Sequence, residues 1–102
     1  MDPGSTCGHE QSGERPGLIV STDLFNHGPS GLVIILPITT KDKNISSHVE
    51  VNPPEGGLEK RSFILCEHIR AISKNRLSRY LGQVSSAILS EVEDRLRILQ
   101  SL

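Results

Sequence analysis

Residues 10–26 read EQSGERPGLIVSTDLFN, and the way this stretch divides between loop and strand decides the fold. Glu10, Gln11 and Arg15 are polar groups in a glycine-containing loop. Pro16 has a fixed φ and biases Arg15 towards an extended backbone. Gly17-Leu18-Ile19-Val20 then reads as a strand, closed by Ser21-Thr22-Asp23, so the first strand is expected over about residues 18–22. Polar side chains on a loop held by a rigid strand are where binding and catalysis concentrate. An ordinary solvated loop with a surface salt bridge is the plainer reading, and this stretch taken alone favours it.

Upstream, residues 1–16 lack a hydrophobic period and contain repeated glycine and proline, so they are expected as loop. Downstream, Asp23 to Ser30 reads as a turn. Gly31-Leu32-Val33-Ile34-Ile35-Leu36-Pro37-Ile38 is a continuous apolar run of strand length, as in a strand covered on both faces. Pro37 cannot donate to a ladder, so pairing should break or bulge there and leave Thr39 and Thr40 at the strand end. Lys41 to Ser47 is polar loop, and His48-Val49-Glu50-Val51 alternates as a half-exposed strand does. Ser62 to Ile72 reads as one long strand interrupted by Glu67, His68 and Arg70, which mark either its exit from the core or a concave face. Ser73 to Tyr80 reads as a short helix capped by Ser73 and stopped near Gly82. From Ser85 the spacing becomes helical, with Ile88, Val92, Leu96 and Leu99 on one face. The sum is a mainly β chain with helical additions: about five short strands in a small barrel, plus a long C-terminal amphipathic helix.

The chain has 102 residues, 35% hydrophobic and 23% charged, with no Trp, one Tyr and two Phe. That length and composition suit a single globular domain spanning residues 1–102 with an aliphatic core. No apolar run is long enough to cross a bilayer and nothing near Met1 resembles a signal peptide, so no membrane partner is expected. Cys7 and Cys66 are too few for a disulfide framework, and a reducing cytoplasm is the simplest setting. His9, His27, His48 and His68 show no ligand spacing, so no metal and no cofactor is expected. The net charge is -1, yet Lys60, Arg61, Arg70, Lys74, Arg76 and Arg79 are opposed locally only by Glu67. This band would attract a polyanion or simply solubilise the surface, and composition does not choose between the two.

No phosphate-binding glycine loop precedes a helix, and no serine triad stands out. What remains is Arg15, Thr39 at a strand end and Glu10 in the preceding loop. That set suits phosphodiester cleavage of a substrate that carries its own nucleophile. RNA does so through its 2′-OH, already held beside phosphorus. Arg15 would supply a permanent bidentate cation, Thr39 a neutral donor and Glu10 a base.

Four pieces also resemble the MazF/PemK family of toxin–antitoxin ribonucleases, in the family's order and spacing. They are GHEQSGERPGLIVSTDLFN, LVIILPITT, SHVEV and ILCEHIRAI, and the tail RLSRYLGQVS with EVEDRLRILQ is similar too. The resemblance implies an SH3-like barrel with a C-terminal helix, usually a homodimer. It implies a toxin that cleaves single-stranded RNA at short motifs without metal, leaving a 2′,3′-cyclic phosphate and a 5′-OH. The family's RP arginine falls on Arg15 and its PIT threonine on Thr39, with Glu10 matching the loop glutamate. Gln11, Asn26, Thr40, Glu67 and His68 are the implied RNA-binding positions. The implied partners are the RNA substrate and a small cognate antitoxin, with operator DNA bound only through the toxin–antitoxin complex.

Two departures accompany the likeness. Members begin with an additional strand of the type GDIVWVDL before the Asp2-Pro3 dipeptide, which is expected to leave this chain with an exposed edge. His68 stands where glutamine is common. A truncated, inactive module that still binds antitoxin or nucleic acid is therefore the alternative reading. A gyrase-inhibiting toxin on the same barrel is a weaker one, which the RP and PIT motifs oppose.

Overall fold

β3 (Leu32–Thr39) is the strand on which the others assemble. A computed structural model describes residues 6–10, 15–21 and 27–100 of the chain. β3 pairs antiparallel with β2 (Pro16–Ile19) along one edge. Its other edge is shared: residues Leu32 to Ile35 pair with β6 (Arg70–Ser73), and Ile38 and Thr39 pair with β5 (Ser62–Leu65). Pro37 lies in the gap where that edge passes from β6 to β5. The expected interruption at Pro37 is thus present, and the missing N–H falls where that edge changes partner.

β1 (Thr6–Glu10) lies between β2 and β7 (Leu77–Gln83), and β4 (His48–Val51) extends β5. The order is β4-β5-β3-β2-β1-β7, with β6 branching from β3. The five strands expected from the sequence become seven among the described residues. Residues Thr6–Glu10, expected as loop, form β1, with β2 and β7 hydrogen-bonded to either edge. Pairing with two neighbours supplies the stabilisation that its local sequence lacks.

The other corrections share one cause. Ser62 to Ile72 is not a single strand, because Cys66–His68 form a 3-10 turn between β5 and β6. The chain must step along β3 to pair first with its end and then with its beginning, and this turn makes the offset. Ser73 does act as a cap, its Oγ accepting from the Asn75 N–H at 3.3 Å, but the capped element is a single 3-10 turn, Lys74–Arg76. From Leu77 the chain is β7, drawn into the sheet by β1. Gly82 therefore lies within a strand rather than ending a helix.

The two faces of β3 bury two clusters. Leu36 and Ile38 point into the main core with Leu18, Val49, Val51, Ile64 and Cys66. Val33 and Ile35 form a smaller cluster with Ile72, flanked by Ile19 and Leu77. An unbroken apolar run is what such a doubly covered strand requires.

The helix α1 (Ser86–Gln100) closes the main core with Ile88 and Val92, the latter fully buried. Ser85 is its N-cap: its Oγ accepts from the Ile88 N–H at 3.2 Å. Glu55 fixes that cap in turn, Oε2 accepting from the Ser85 N–H (2.8 Å) and Oγ–H (2.6 Å). Such a cap stabilises a helix by about 1 kcal/mol.

Candidate active site

The strand registers bring the candidate residues into one row. His9 is opposite Pro16 in β1 and β2, and Gly17 is opposite Pro37 in β2 and β3. Continued one residue beyond His9–Pro16, the first register sets Glu10 beside Arg15; continued two residues beyond Gly17–Pro37, the second sets Arg15 beside Thr39. Thr39 is directly opposite Phe63, and Phe63 is opposite Glu50. Directly opposed residues share a face of a sheet. The row thus joins positions 15, 39, 63 and 50, which lie far apart in sequence, along the face opposite the main core, with position 10 next to it in register.

Arg15 is exposed, just ahead of β2, and Thr39 is half-buried at the end of β3. Thr39 Oγ1 accepts the Lys41 N–H at 3.2 Å. A hydroxyl has two lone pairs and one hydrogen, so this bond occupies an acceptor position and leaves the O–H to donate. Beside the row lie Pro37 and Gly17, the latter with no side chain, directly opposite each other. A fixed cation and a neutral donor side by side match the needs of a phosphate gaining negative charge.

The lower-ranked candidates separate. Gln11 and Asn26 lie outside the described residues. Thr40 is exposed beside Thr39. Glu67 is engaged: it accepts from Ser47 Oγ at 2.7 Å and from His48 Nε2 at 2.6 Å. Burial alone would raise its pKa, but hydrogen bonds from Ser47, the Glu67 backbone N–H and His48 hold it below the ordinary carboxylate value. His68 is 63% exposed with Nε2 3.7 Å from the same carboxylate. It remains open to a ligand, whereas Glu67 is bound into the fold.

Sequence reasoning passed over three residues on this face. His48 has a side chain only 3% exposed and is clasped by Glu67, with Nδ1 buried and unpartnered among the described residues. Arg61 and Glu50 form a bidentate pair, Nε and Nη2 donating to the two carboxylate oxygens at 2.8 and 3.2 Å. That hydrogen-bonded pairing holds the Glu50 carboxyl below its usual range and raises the Arg61 guanidinium. The alternation of His48-Val49-Glu50-Val51 was the available signal, since it already set His48 and Glu50 on one face.

Among the described residues no group of three or more His, Cys, Asp or Glu side chains is arranged to hold a metal ion. A cavity of about 270 Å³ lies away from the row, between Ser46–Ser47 and the end of α1, lined also by Arg95, Ile98 and Leu99. Arg95 Nε donates to the Ser46 carbonyl at 3.0 Å across it. It contains none of the candidate residues.

A small antiparallel barrel closed by a C-terminal helix, with a polar row across one face, is the architecture of a known toxin class. The family described as PemK-like, MazF-like toxin of type II toxin–antitoxin system matches residues 1–100. The chain is 30% identical over 102 residues to Endoribonuclease EndoA of Bacillus subtilis, covering 99% of this chain and 88% of that protein. It is 35% identical over 92 residues to Endoribonuclease MazF of Staphylococcus saprophyticus, covering 89% of this chain and 77% of that protein. The MazE–MazF crystal structure (Form-I) from Deinococcus radiodurans superposes with a TM-score of 0.81 at 25% identity, over 100% of this chain and 97% of that one. The chain belongs to the PemK/MazF toxin family of type II toxin–antitoxin systems.

Proposed function

We propose that residues 1–102 form a single toxin domain that is a metal-independent endoribonuclease, cutting single-stranded RNA at short sequence motifs in the cytoplasm. The observation that carries this reading is the β2–β3 register, which, continued two residues beyond Gly17–Pro37, sets Arg15 opposite Thr39. Family membership and relatives named as endoribonucleases support it.

In the proposed reaction the substrate's 2′-OH attacks the adjacent phosphorus while the P–O5′ bond breaks. Glu10 takes the 2′ proton. Arg15 forms a bidentate contact to the non-bridging oxygens, and the Thr39 O–H donates to the same developing charge. The leaving 5′ oxygen takes a proton from water to give a 5′-OH, Glu10 returns its proton to solvent, and the other product is a 2′,3′-cyclic phosphate. The nucleophile is intramolecular, so the protein's contribution is charge stabilisation and proton transfer. Gln11, Asn26, Thr40 and His68 contribute to RNA binding, and Glu67 acts by holding the loop before β4. The working toxin is a homodimer inhibited by a cognate antitoxin, and operator DNA is reached only through that complex. MazE–MazF assemblies among the structural neighbours support the antitoxin assignment.

The test is cleavage of a fluorescent single-stranded RNA in excess EDTA by wild type and Arg15→Ala. Wild type cuts, the products carry cyclic phosphate ends, and 2′-deoxy substitution at the cut site blocks the reaction. A requirement for metal, cleavage of the 2′-deoxy substrate, or full activity in Arg15→Ala overturns the mechanism.

A further inference from the structure

Arg61 is an arginine on the site face that takes no part in the reaction proposed above. It immediately precedes β5, two residues before Phe63, which is directly opposite Thr39. Residues two apart along a strand share a face, so Arg61 is a diagonal neighbour of Thr39 on the same side of the sheet, about 7–8 Å away by ordinary strand geometry.

Its guanidinium is held in place. The central carbon sits 5.0 Å from the centre of the Phe63 ring, and Phe63 is itself only 6% exposed. Nε and Nη2 are bound edge-on by Glu50, and Nη2 comes within 3.7 Å of Asp42. Nη1 has no hydrogen-bond partner among the described residues, and the side chain is 53% exposed. An arginine fixed on one edge and one face has already lost the rotamer freedom that binding would otherwise cost. Its remaining N–H groups form a ready donor edge, and phosphate is the ligand a planar guanidinium matches best beside a phosphodiester site.

We propose that Arg61 binds the phosphodiester adjacent to the one cleaved, placing a second backbone contact one nucleotide from the Arg15–Thr39 pair. The proposal rests on the endoribonuclease reading above. Glu50 and Asp42 confine the phosphate to the Nη1 edge, because like charge repels it from the other side. Arg61 is thereby a binding residue that registers the strand across the site and leaves the chemical step to the others.

The experiment measures binding of a fluorescein-labelled single-stranded RNA as a function of KCl, in EDTA and in an Arg15→Ala background that prevents turnover. Arg61→Ala and Arg61→Gln weaken binding about tenfold and lower the slope of log K against log salt by about 0.7, the loss of one phosphate contact on a single strand. Glu50→Gln breaks the same ion pair but removes a negative charge and keeps an amide oxygen for one N–H, so it binds RNA at least as tightly as the parent. A merely structural role for the pair makes Glu50→Gln and the Arg61 variants weaken alike, and that result overturns the proposal. So does an unchanged salt slope in both Arg61 variants. If Arg15-intact protein fails to cleave RNA, the endoribonuclease reading has failed. If it cleaves while the Arg61 variants bind as the parent does, this inference alone has failed.

Discussion

His48 Nε2 lies 2.6 Å from Glu67 Oε2, joining the start of β4 to the turn between β5 and β6. Ser47 Oγ donates to the other oxygen of the same carboxylate at 2.7 Å, and Arg95 of α1 holds the Ser46 carbonyl. The loop that begins after Thr39 is therefore pinned at its far end by two independent elements. Its near end is pinned by Thr39 itself, through the Lys41 N–H.

Removing the carboxylate leaves a buried ring nitrogen without its partner. Glu67→Ala is expected to destabilise the protein by about 1–3 kcal/mol, the usual cost of an unsatisfied buried polar group. The pH dependence follows from the lowered Glu67 pKa. A carboxylate with a depressed folded-state value stabilises the fold fully above its ordinary value of 4.5, and that contribution fades as pH falls below it. Urea unfolding between pH 7 and pH 3 should show a steeper fall in wild type than in Glu67→Ala, which keeps only the share due to other carboxylates such as Glu50. Parallel curves for the two proteins would refute this role.

Cys66 is fully buried beside the same turn. Burial, reinforced by the nearby Glu67 carboxylate and only partly offset by Arg95, pushes its thiol up to about 11. The thiolate is the reactive form, so iodoacetamide at pH 8 should leave Cys66 unmodified in the folded protein and label it in denaturant, as read by peptide mass mapping. The raised value also means that folding favours the neutral thiol. Any stability it adds is complete below the ordinary 9.0 and is lost as pH rises from there towards 11. Rapid labelling of native Cys66 would contradict the burial.

Which parts of this fold were legible in the sequence depends on where the stabilisation lies. β3 could be read because its apolar run records two buried faces. α1 could be read because Ile88 and Val92 repeat at helical spacing. β1 could not, because Thr6–Glu10 is held by pairing on both edges and not by its own composition. Ser73 gave a true capping signal that says nothing about the length of the element it caps, and β7 took the residues beyond. At the site, Arg15 and Thr39 were legible as motifs. Their adjacency depends on the β2–β3 register, which no local pattern records. His48, Glu50 and Arg61 were missed because each acts through a cross-strand partner 11 or 19 residues away in sequence.

Gly57 tests the packing of the turn before β5 on β7. Its φ is +73°, and a Cβ there would meet the Leu81 carbonyl oxygen at 1.9 Å, a backbone atom with no rotamer to yield. Gly57→Ala therefore combines a disfavoured backbone with a steric clash, and is expected to cost at least about 2 kcal/mol. For a domain of this size that lowers Tm by roughly 8 °C or more. Gly31→Ala is the control: its φ is +69° but nothing lies within 4 Å of the added carbon, so its loss should be clearly smaller. Equal losses would show that conformation alone, and not the approach of β7, sets the cost.

Thr39 offers the sharpest separation of chemistry from packing. Its hydroxyl accepts from the Lys41 N–H and retains one hydrogen for a ligand. Thr39→Ser keeps both functions and should retain most of the RNA cleavage activity. Thr39→Val keeps the shape and the strand propensity but removes the hydroxyl, so kcat should fall about 10²–10³-fold, the range for loss of one donor to a developing oxyanion. Because the substrate's ground-state phosphate demands less of that donor than the transition state does, KM should change little. If the acceptor that fixes the Lys41 N–H were instead the function that matters, the valine would loosen the loop and raise KM. Cleavage kinetics of the two variants, compared on one substrate with their Tm values, therefore distinguish the roles. A fall confined to kcat identifies Thr39 as a donor to the transition state, and a rise confined to KM would reduce it to a loop anchor.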